Sequence, residues 1–300
     1  MANGKGKTSG SGGGLLRGAR VYLSGPMDFV ADRADEQKNG WRARIGNVLR
    51  DLGCIVFDPW NKPGVQGLHG FGQEGVDTDK DREKWTFENS TDGAKTRAKL
   101  TGHYWETLHI DLRMVDTADF LVAYCPTNIY SVGTVHEIAL ARLERKPVLF
   151  VSPSIEFPTY DELRKHLAND RVGTELLEKL KNELPIKPNP KGIPSLWYMP
   201  LVGGENFFDG FGFNGSKYRE QLGWTETQLD RLEKRRPPKR PLLPALEQLD
   251  QRLPQKWDNR LKKYVRNDNW LLWDIHDSKI EDAHGEDAHG EDAHGEDADG

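Results

Sequence analysis

The sequence predicts an α/β fold, a mostly parallel five-stranded sheet flanked by helices. Three observations carry that prediction. FLVAYC (120–125) and PVLFV (147–151) are short, continuous apolar runs, the pattern of strands buried on both faces of a parallel sheet. Between them lies a glycine-containing turn and a helical stretch, so His109–Val151 reads as helix, strand, turn, helix, strand. Residues 20–58 repeat the alternation as strand, helix, strand, and such alternation builds a parallel sheet.

Taken in order, residues 1–18 are rich in glycine and serine and are expected to form a disordered lead-in. The first strand is Arg20 to Ser24, ending at Gly25-Pro26. The first helix covers about Ala34 to Leu52, with Trp41, Ile45, Val48, Leu49 and Leu52 on its apolar stripe and Gly53 as its C-cap. The second strand, Cys54 to Phe57, closes at Asp58-Pro59. Residues 61–103 then interrupt the pattern as a glycine-rich, charged insertion, suited to a lid or an oligomer contact. Within it Asp77, Asp79, Asp81 and Glu88 echo a calcium loop, but Arg82 stands where the sharp turn wants glycine. From His103 to Thr117, Trp105, Leu108, Leu112 and Val115 recur at helical spacing.

Beyond Val151 the expected elements are helices at Tyr160–Leu167 and Thr174–Glu183 and a fifth strand at Leu196–Met199. This gives a Rossmann- or flavodoxin-like domain at 19–200. Residues 201–280 form an extension rich in proline and charge, with a helical piece near Thr225–Lys234, and 281–300 an acidic repeat of EDAHG units that cannot bury a core.

Composition excludes several classes. No apolar run is long enough to span a bilayer. The net charge of −5 is concentrated in the acidic tail, leaving the body mildly basic. The basic RRPPKR at 235–240 lacks interleaved aromatic residues, so nucleic acid is not expected as a partner. Cys54 and Cys125 sit in apolar runs and read as reduced core residues. With no apolar leader core at the N-terminus, a cytoplasmic location is expected. His284, His289 and His294 belong to the solvated repeat, and no metal site is assigned.

In open α/β sheets ligands bind at the carboxyl ends of the strands. Asp111, on the edge of the apolar side of its helix, and Glu137, placed in the first turn of the helix after strand three, would be delivered to that edge. The helix dipole there favours an ionised carboxylate. Thr134-x-x-Glu137 also fits a capping box, in which the glutamate only bonds backbone; pattern alone leaves both readings open. Gly25 allows backbone to approach a ligand, and Asp28 in the following loop is either a sugar-hydroxyl acceptor or an exposed acid. Trp60 and Trp85 are candidates to stack on a base.

These residues also carry a resemblance. SVGTVHEIALA (131–141), HIDLRMVDTADFLVA (109–123) and VYLSGPM (21–27) resemble, in order, three motifs of the nucleoside 2-deoxyribosyltransferase family, over roughly residues 20–152. The resemblance implies that Glu137 is a nucleophile, Asp111 a general acid/base or sugar-binding partner, and Tyr22 a hydroxyl orienting Glu137, with Gly25, Asp28, Ser131 and Gly133 at the substrate. It implies cleavage of the N-glycosidic bond of a nucleoside or nucleotide without a cofactor, in a homo-oligomer whose pockets a neighbouring subunit completes. Two positions depart from the family pattern: Ala139 replaces a glycine, and Ser131 replaces the aspartate of the transferases. The second makes the segment similar to the branch that hydrolyses 5′-monophosphates. Two other readings are a nucleotide-sensing module that does not cleave, and a glutamate-dependent NAD glycohydrolase.

Overall fold

The computed structural model describes residues 14–27, 30, 32–62, 83–183, 187–215, 233, 236–250, 255–258 and 260–266. Five parallel strands form the sheet: β1 (Arg20–Ser24), β2 (Ile55–Phe57), β3 (Phe120–Tyr124), β4 (Val148–Val151) and β5 (Phe207–Phe208), in the order β2-β1-β3-β4-β5. Tyr22 registers with Leu121 and Ser24 with Ala123. Asp119 fixes that register: its carboxylate accepts from the Arg20 backbone N–H at 2.8 Å and pairs with the Arg20 guanidinium at 2.7 Å.

Strand period two divides the buried residues between the faces. Tyr22, Leu121, Ala123, Val148 and Phe150 pack in one cluster with Met114 and Val115 of α3 (Thr91–Thr117) and Ile138 and Ala141 of α4 (Val132–Leu143). The alternate residues of β1, Val21 and Leu23, are fully buried on the other face.

Several elements differ from the sequence expectation. The first helix is two, α1 (Arg33–Asn39) and α2 (Trp41–Asp51), broken at an extended Gly40 whose N–H still reaches the Glu36 carbonyl. A Cβ at Gly40 would lie 2.1 Å from that carbonyl oxygen, so the break needs glycine. Helix α3 begins at Thr91, twelve residues before the expected start, with the Ser90 hydroxyl accepting from Gly93 N–H at 3.0 Å. Its first turns are polar and carry Gly93 and Gly102, so no apolar period announced them. Leu196–Tyr198 is a 3-10 turn, not a strand, and runs into the short helix α7 (Met199–Val202). The strand is instead Phe207–Phe208, hydrogen-bonded through Phe208 O to Ser152 N.

Helices α5 (Pro158–His166) and α6 (Arg171–Glu183) precede that strand, and α8 (Leu242–Asp250) follows it with Leu242, Leu243, Leu246 and Leu249 buried. Thus part of the segment read as an extension supplies an edge strand and a packed helix. The lead-in is also shorter than expected, since Leu15 and Leu16 are buried and their N–H groups donate to the Asp250 carbonyl and carboxylate at 3.0 Å. The chain divides into two compact units, Met1–Gln255 and Lys256–Gly300. The sheet lies in the first. Strands β6 (Gln255–Asp258) and β7 (Lys263–Arg266) form a separate two-stranded ladder. No helix among the described residues is long and apolar enough to cross a membrane.

Candidate functional site

Glu137 is the centre of the carboxyl edge. Tyr22 and Ser24 are one pleat apart on β1 and therefore point to the same face, toward α4. The Tyr22 hydroxyl donates to Glu137 Oε1 at 2.7 Å, and the Ser24 hydroxyl donates to Oε2 in a short contact. All three side chains are buried. The capping-box reading is thereby overturned. Helix α4 starts at Val132, so Thr134 lies within it, and the Glu137 carboxylate bonds two side-chain hydroxyls rather than a backbone N–H.

Glu137 is the sixth residue of α4, in its second turn and not its first as expected. The dipole effect fades within one turn, so burial governs the carboxyl. Full burial costs a carboxylate several kcal/mol. Hydrogen bonds to a charged group return roughly 1.5–3 kcal/mol each. Burial wins: the Glu137 carboxyl is raised above the ordinary glutamate range, with the Ser24 and Tyr22 hydrogen bonds and then the Arg42 and Lys62 charges opposing it. The Tyr22 phenol is pushed well above its usual value by burial and by the charges of Glu137 and Asp111.

Asp111 lies on α3, facing this edge closely enough for its charge to act on Tyr22. Lys62 Nζ is 2.9 Å from Asp111 Oδ1, an ion pair. Lys62 follows the 3-10 turn Pro59–Asn61 after β2; its side chain is 0% exposed and that of Asp111 17%.

Gly25 ends β1 where space is scarce. A Cβ there would lie 2.6 Å from Trp41 Cζ2 and 3.2 Å from the Tyr124 carbonyl oxygen. The buried Arg42 guanidinium locks this turn, donating to the carbonyls of Leu23 (3.1 Å), Gly25 (2.6 Å) and Pro26 (3.2 Å). Trp41 packs at 5.1 Å from the Tyr124 ring and stacks at 5.7 Å on Phe211, so the loop after β5 covers this corner with aromatic surface.

Ser131 occupies the N-cap position of α4 without bonding a helix N–H; its hydroxyl pairs with Thr134 Oγ1 at 2.5 Å. Gly133 is exposed, and a Cβ there would meet nothing within 4 Å. Asp28 lies outside the described residues, as do Asp77, Asp79 and Asp81 of the calcium-like run. Trp60 is buried, with its Nε1 left without a hydrogen-bond partner, and Asn128 Oδ1 in the β3–α4 turn is in the same condition. Trp85 is half exposed and packs edge-on against Phe87.

Cys54 and Cys125 are free thiols. Among the described residues no group of three His, Cys, Asp or Glu is arranged to hold a metal ion. Sequence reasoning therefore brought Tyr22, Asp111 and Glu137 to one edge, and it missed Ser24, Arg42 and Lys62. For Ser24 a signal existed, because any residue two positions from Tyr22 on a strand shares its face.

No protein-family model matches the chain, and no curated protein matches it. Among solved structures, a 2-deoxyribosyltransferase from the psychrotolerant bacterium Bacillus psychrosaccharolyticus is 21% identical, covering 57% of this chain and 98% of its own, with a TM-score of 0.25. A conserved protein from Enterococcus faecalis V583 is 15% identical, covering 54% of this chain and 87% of its own, with a TM-score of 0.27.

Proposed function

We propose that this protein cleaves the N-glycosidic bond of a nucleoside or nucleoside 5′-monophosphate, as a member of the nucleoside 2-deoxyribosyltransferase family. The observation that carries the reading is the Glu137 carboxylate, buried at the carboxyl edge of the sheet with each oxygen held by a hydroxyl of β1. A carboxylate spent on packing or capping needs no such pair of donors. In the reaction a Glu137 oxygen bonds to the anomeric carbon as the C–N bond breaks and its electrons leave with the base. Water, or a second base, then attacks the same carbon and releases Glu137 as a carboxylate, the proton that the attacker loses balancing the one taken up by the departed base. Asp111 serves the sugar or the departing base from across the crevice, following the two-carboxylate logic of glycoside cleavage. Asn128 and Trp60 are candidate ligand contacts, since a buried unpaired polar atom costs about 1–3 kcal/mol that a ligand can offset.

Among substrates, 5′-monophosphates are preferred and water is the acceptor. Support comes from Ser131, which carries no charge and spends its hydroxyl on Thr134 rather than on a cap, and from the open face at Gly133. An aspartate at 131 would repel a phosphate. The test is chromatography of free base released from a panel of nucleosides, 5′-monophosphates and NAD, with and without an acceptor base. Wild type should release base fastest from monophosphates, and Ser131→Asp should reduce that turnover far more than turnover of nucleosides. Equal losses on both classes reject the phosphate assignment, nicotinamide as the main product moves the chain to the NAD reading, and no base from any substrate rejects cleavage altogether. The same reading has the protein act as a cytoplasmic homo-oligomer; sedimentation showing only an active monomer would remove that element.

A further inference from the structure

We propose that Lys62 is a positioning residue of this site: by pairing with Asp111 it sets the crevice charge so that Asp111 and Glu137 stand ionised together. The consequence for turnover rests on the function proposed above; the electrostatic claim does not.

Surface lysines pair for little, about 0–1 kcal/mol. Lys62 is not one of them, since its side chain is 0% exposed and its ammonium lies 2.9 Å from Asp111 Oδ1. Lysine is almost never fully buried unless paired, and stripping water from an ion costs several kcal/mol. A packing role alone would be met more cheaply by methionine. The topology explains the placement. With the order β2-β1-β3, the turn after β2 arrives at the same carboxyl edge as Ser24, and α3 brings Asp111 to it from the other side.

Among the described residues, each packed element contributes a group facing Glu137. Strand β1 contributes the Tyr22 and Ser24 hydroxyls. Helix α2 contributes the Arg42 guanidinium, the turn after β2 contributes Lys62, and the residue after β3 contributes the half-buried Cys125 thiol. Helix α3 contributes Asp111, whose charge reaches the phenol that bonds Glu137. Among the described residues the charges acting here are the Glu137 and Asp111 carboxylates and the Arg42 and Lys62 cations, with Glu36 of α1 coupled to Arg42. Arg42 is committed to three backbone carbonyls of the β1 turn, and the cation seen against Asp111 is Lys62, at 2.9 Å. Without it the surplus negative charge would drive a proton onto one of the two carboxyls. The ammonium also works against the burial that raises Glu137. Paired with an ammonium, Asp111 is suited to accept from a hydroxyl of the substrate sugar rather than to donate a proton.

The test is titration of side-chain carboxyl carbons by NMR in the full chain labelled with carbon-13 at Asp and Glu. Wild type is compared with Lys62→Met, Lys62→Arg and the double variant Lys62→Met/Asp111→Asn. Lys62→Met should move the Glu137 midpoint upward, Lys62→Arg should hold it, and the double variant should bring it back toward wild type. A folded double variant beside an unfolded Lys62→Met supports the proposal through stability, because Asp111 is then tolerated only with its cation. Unchanged Glu137 and Asp111 midpoints in Lys62→Met overturn the proposal. So does unfolding of both Met-containing variants, which makes Lys62 a packing residue. With a substrate from the panel above, turnover of Lys62→Met should fall several-fold at pH 5 and recover as pH rises. If the midpoints move but no substrate loses its base in wild type, Lys62 keeps its role and only the function is wrong.

Discussion

The two faces of β1 show how one strand of five residues divides its labour. Toward α4, Tyr22 and Ser24 end in hydroxyls bonded to Glu137. Toward the other face, Val21 and Leu23 are purely apolar and equally buried. Burial is the same on both sides and the chemistry is opposite. The apolar face gains from burial, about 25 cal/mol per Å² removed from water, whereas the face bearing Glu137 gives up solvation of a carboxylate. A site of this kind is carried by its neighbours' stability, and substitutions on the two faces should separate cleanly.

The largest separation is expected at Glu137. Glu137→Ala should lower turnover by at least about a thousandfold, the scale of losing a nucleophile, while its melting temperature stays within about a few degrees of wild type. Normal turnover by this variant would end the nucleophile assignment. On the opposite face, Leu23→Ala should reverse the balance. It should lose about 2–5 kcal/mol of stability by leaving a cavity, measured by urea unfolding, with kcat and KM per folded molecule unchanged.

Smaller effects come from the two hydroxyls. Tyr22→Phe and Ser24→Ala each remove one hydrogen bond to a carboxylate, worth roughly 1.5–3 kcal/mol. Because both bonds hold down the Glu137 pKa, each variant should move the acid limb of kcat to higher pH. A uniform loss at all pH values would show a role in shape alone.

The smallest effect is on stability. The Glu137 pKa is raised on folding above its ordinary value of 4.5. The folded protein therefore binds that proton more tightly than the unfolded chain, and the stability this brings is fully present below pH 4.5 and lost as pH rises through the raised value. Glu137→Gln, which has no proton to lose, should gain on wild type as pH rises above 4.5. A flat difference across that range would mean that the carboxyl is not strained by burial.

The α/β architecture was legible because strands buried on both faces leave continuous apolar runs, and FLVAY and VLFV did so. That Glu137 and Tyr22 come together at one sheet edge was legible from the segments that resemble the nucleoside 2-deoxyribosyltransferase motifs. What the sequence hid was of three kinds. Phe207–Phe208 is too short to show a period, while LWYM has a strand-like composition but is wound up by the Ser195 cap and Pro200. The start of α3 is polar because its first turns are exposed, with none of Thr91, Asp92 or Ala94 buried, so no stripe could mark it. Lys62 acquires its role only through a partner 49 positions away, and a lysine beside a glycine-rich run looks like any solvated residue.

Strand β1 has hydrogen-bonded neighbours on both sides, β2 and β3. Its amides are therefore among those released last, when the whole domain opens, rather than by local fraying. The two hydroxyls that hold Glu137 ride on that strand and not on a loop. Heating should then leave Glu137 correctly held until the domain itself melts, so that loss of activity and loss of tertiary structure fall on one curve. Hydrogen exchange at Val21, Tyr22 and Leu23 should slow to the rate set by global unfolding, making these three amides an internal gauge of how much folded, competent site remains.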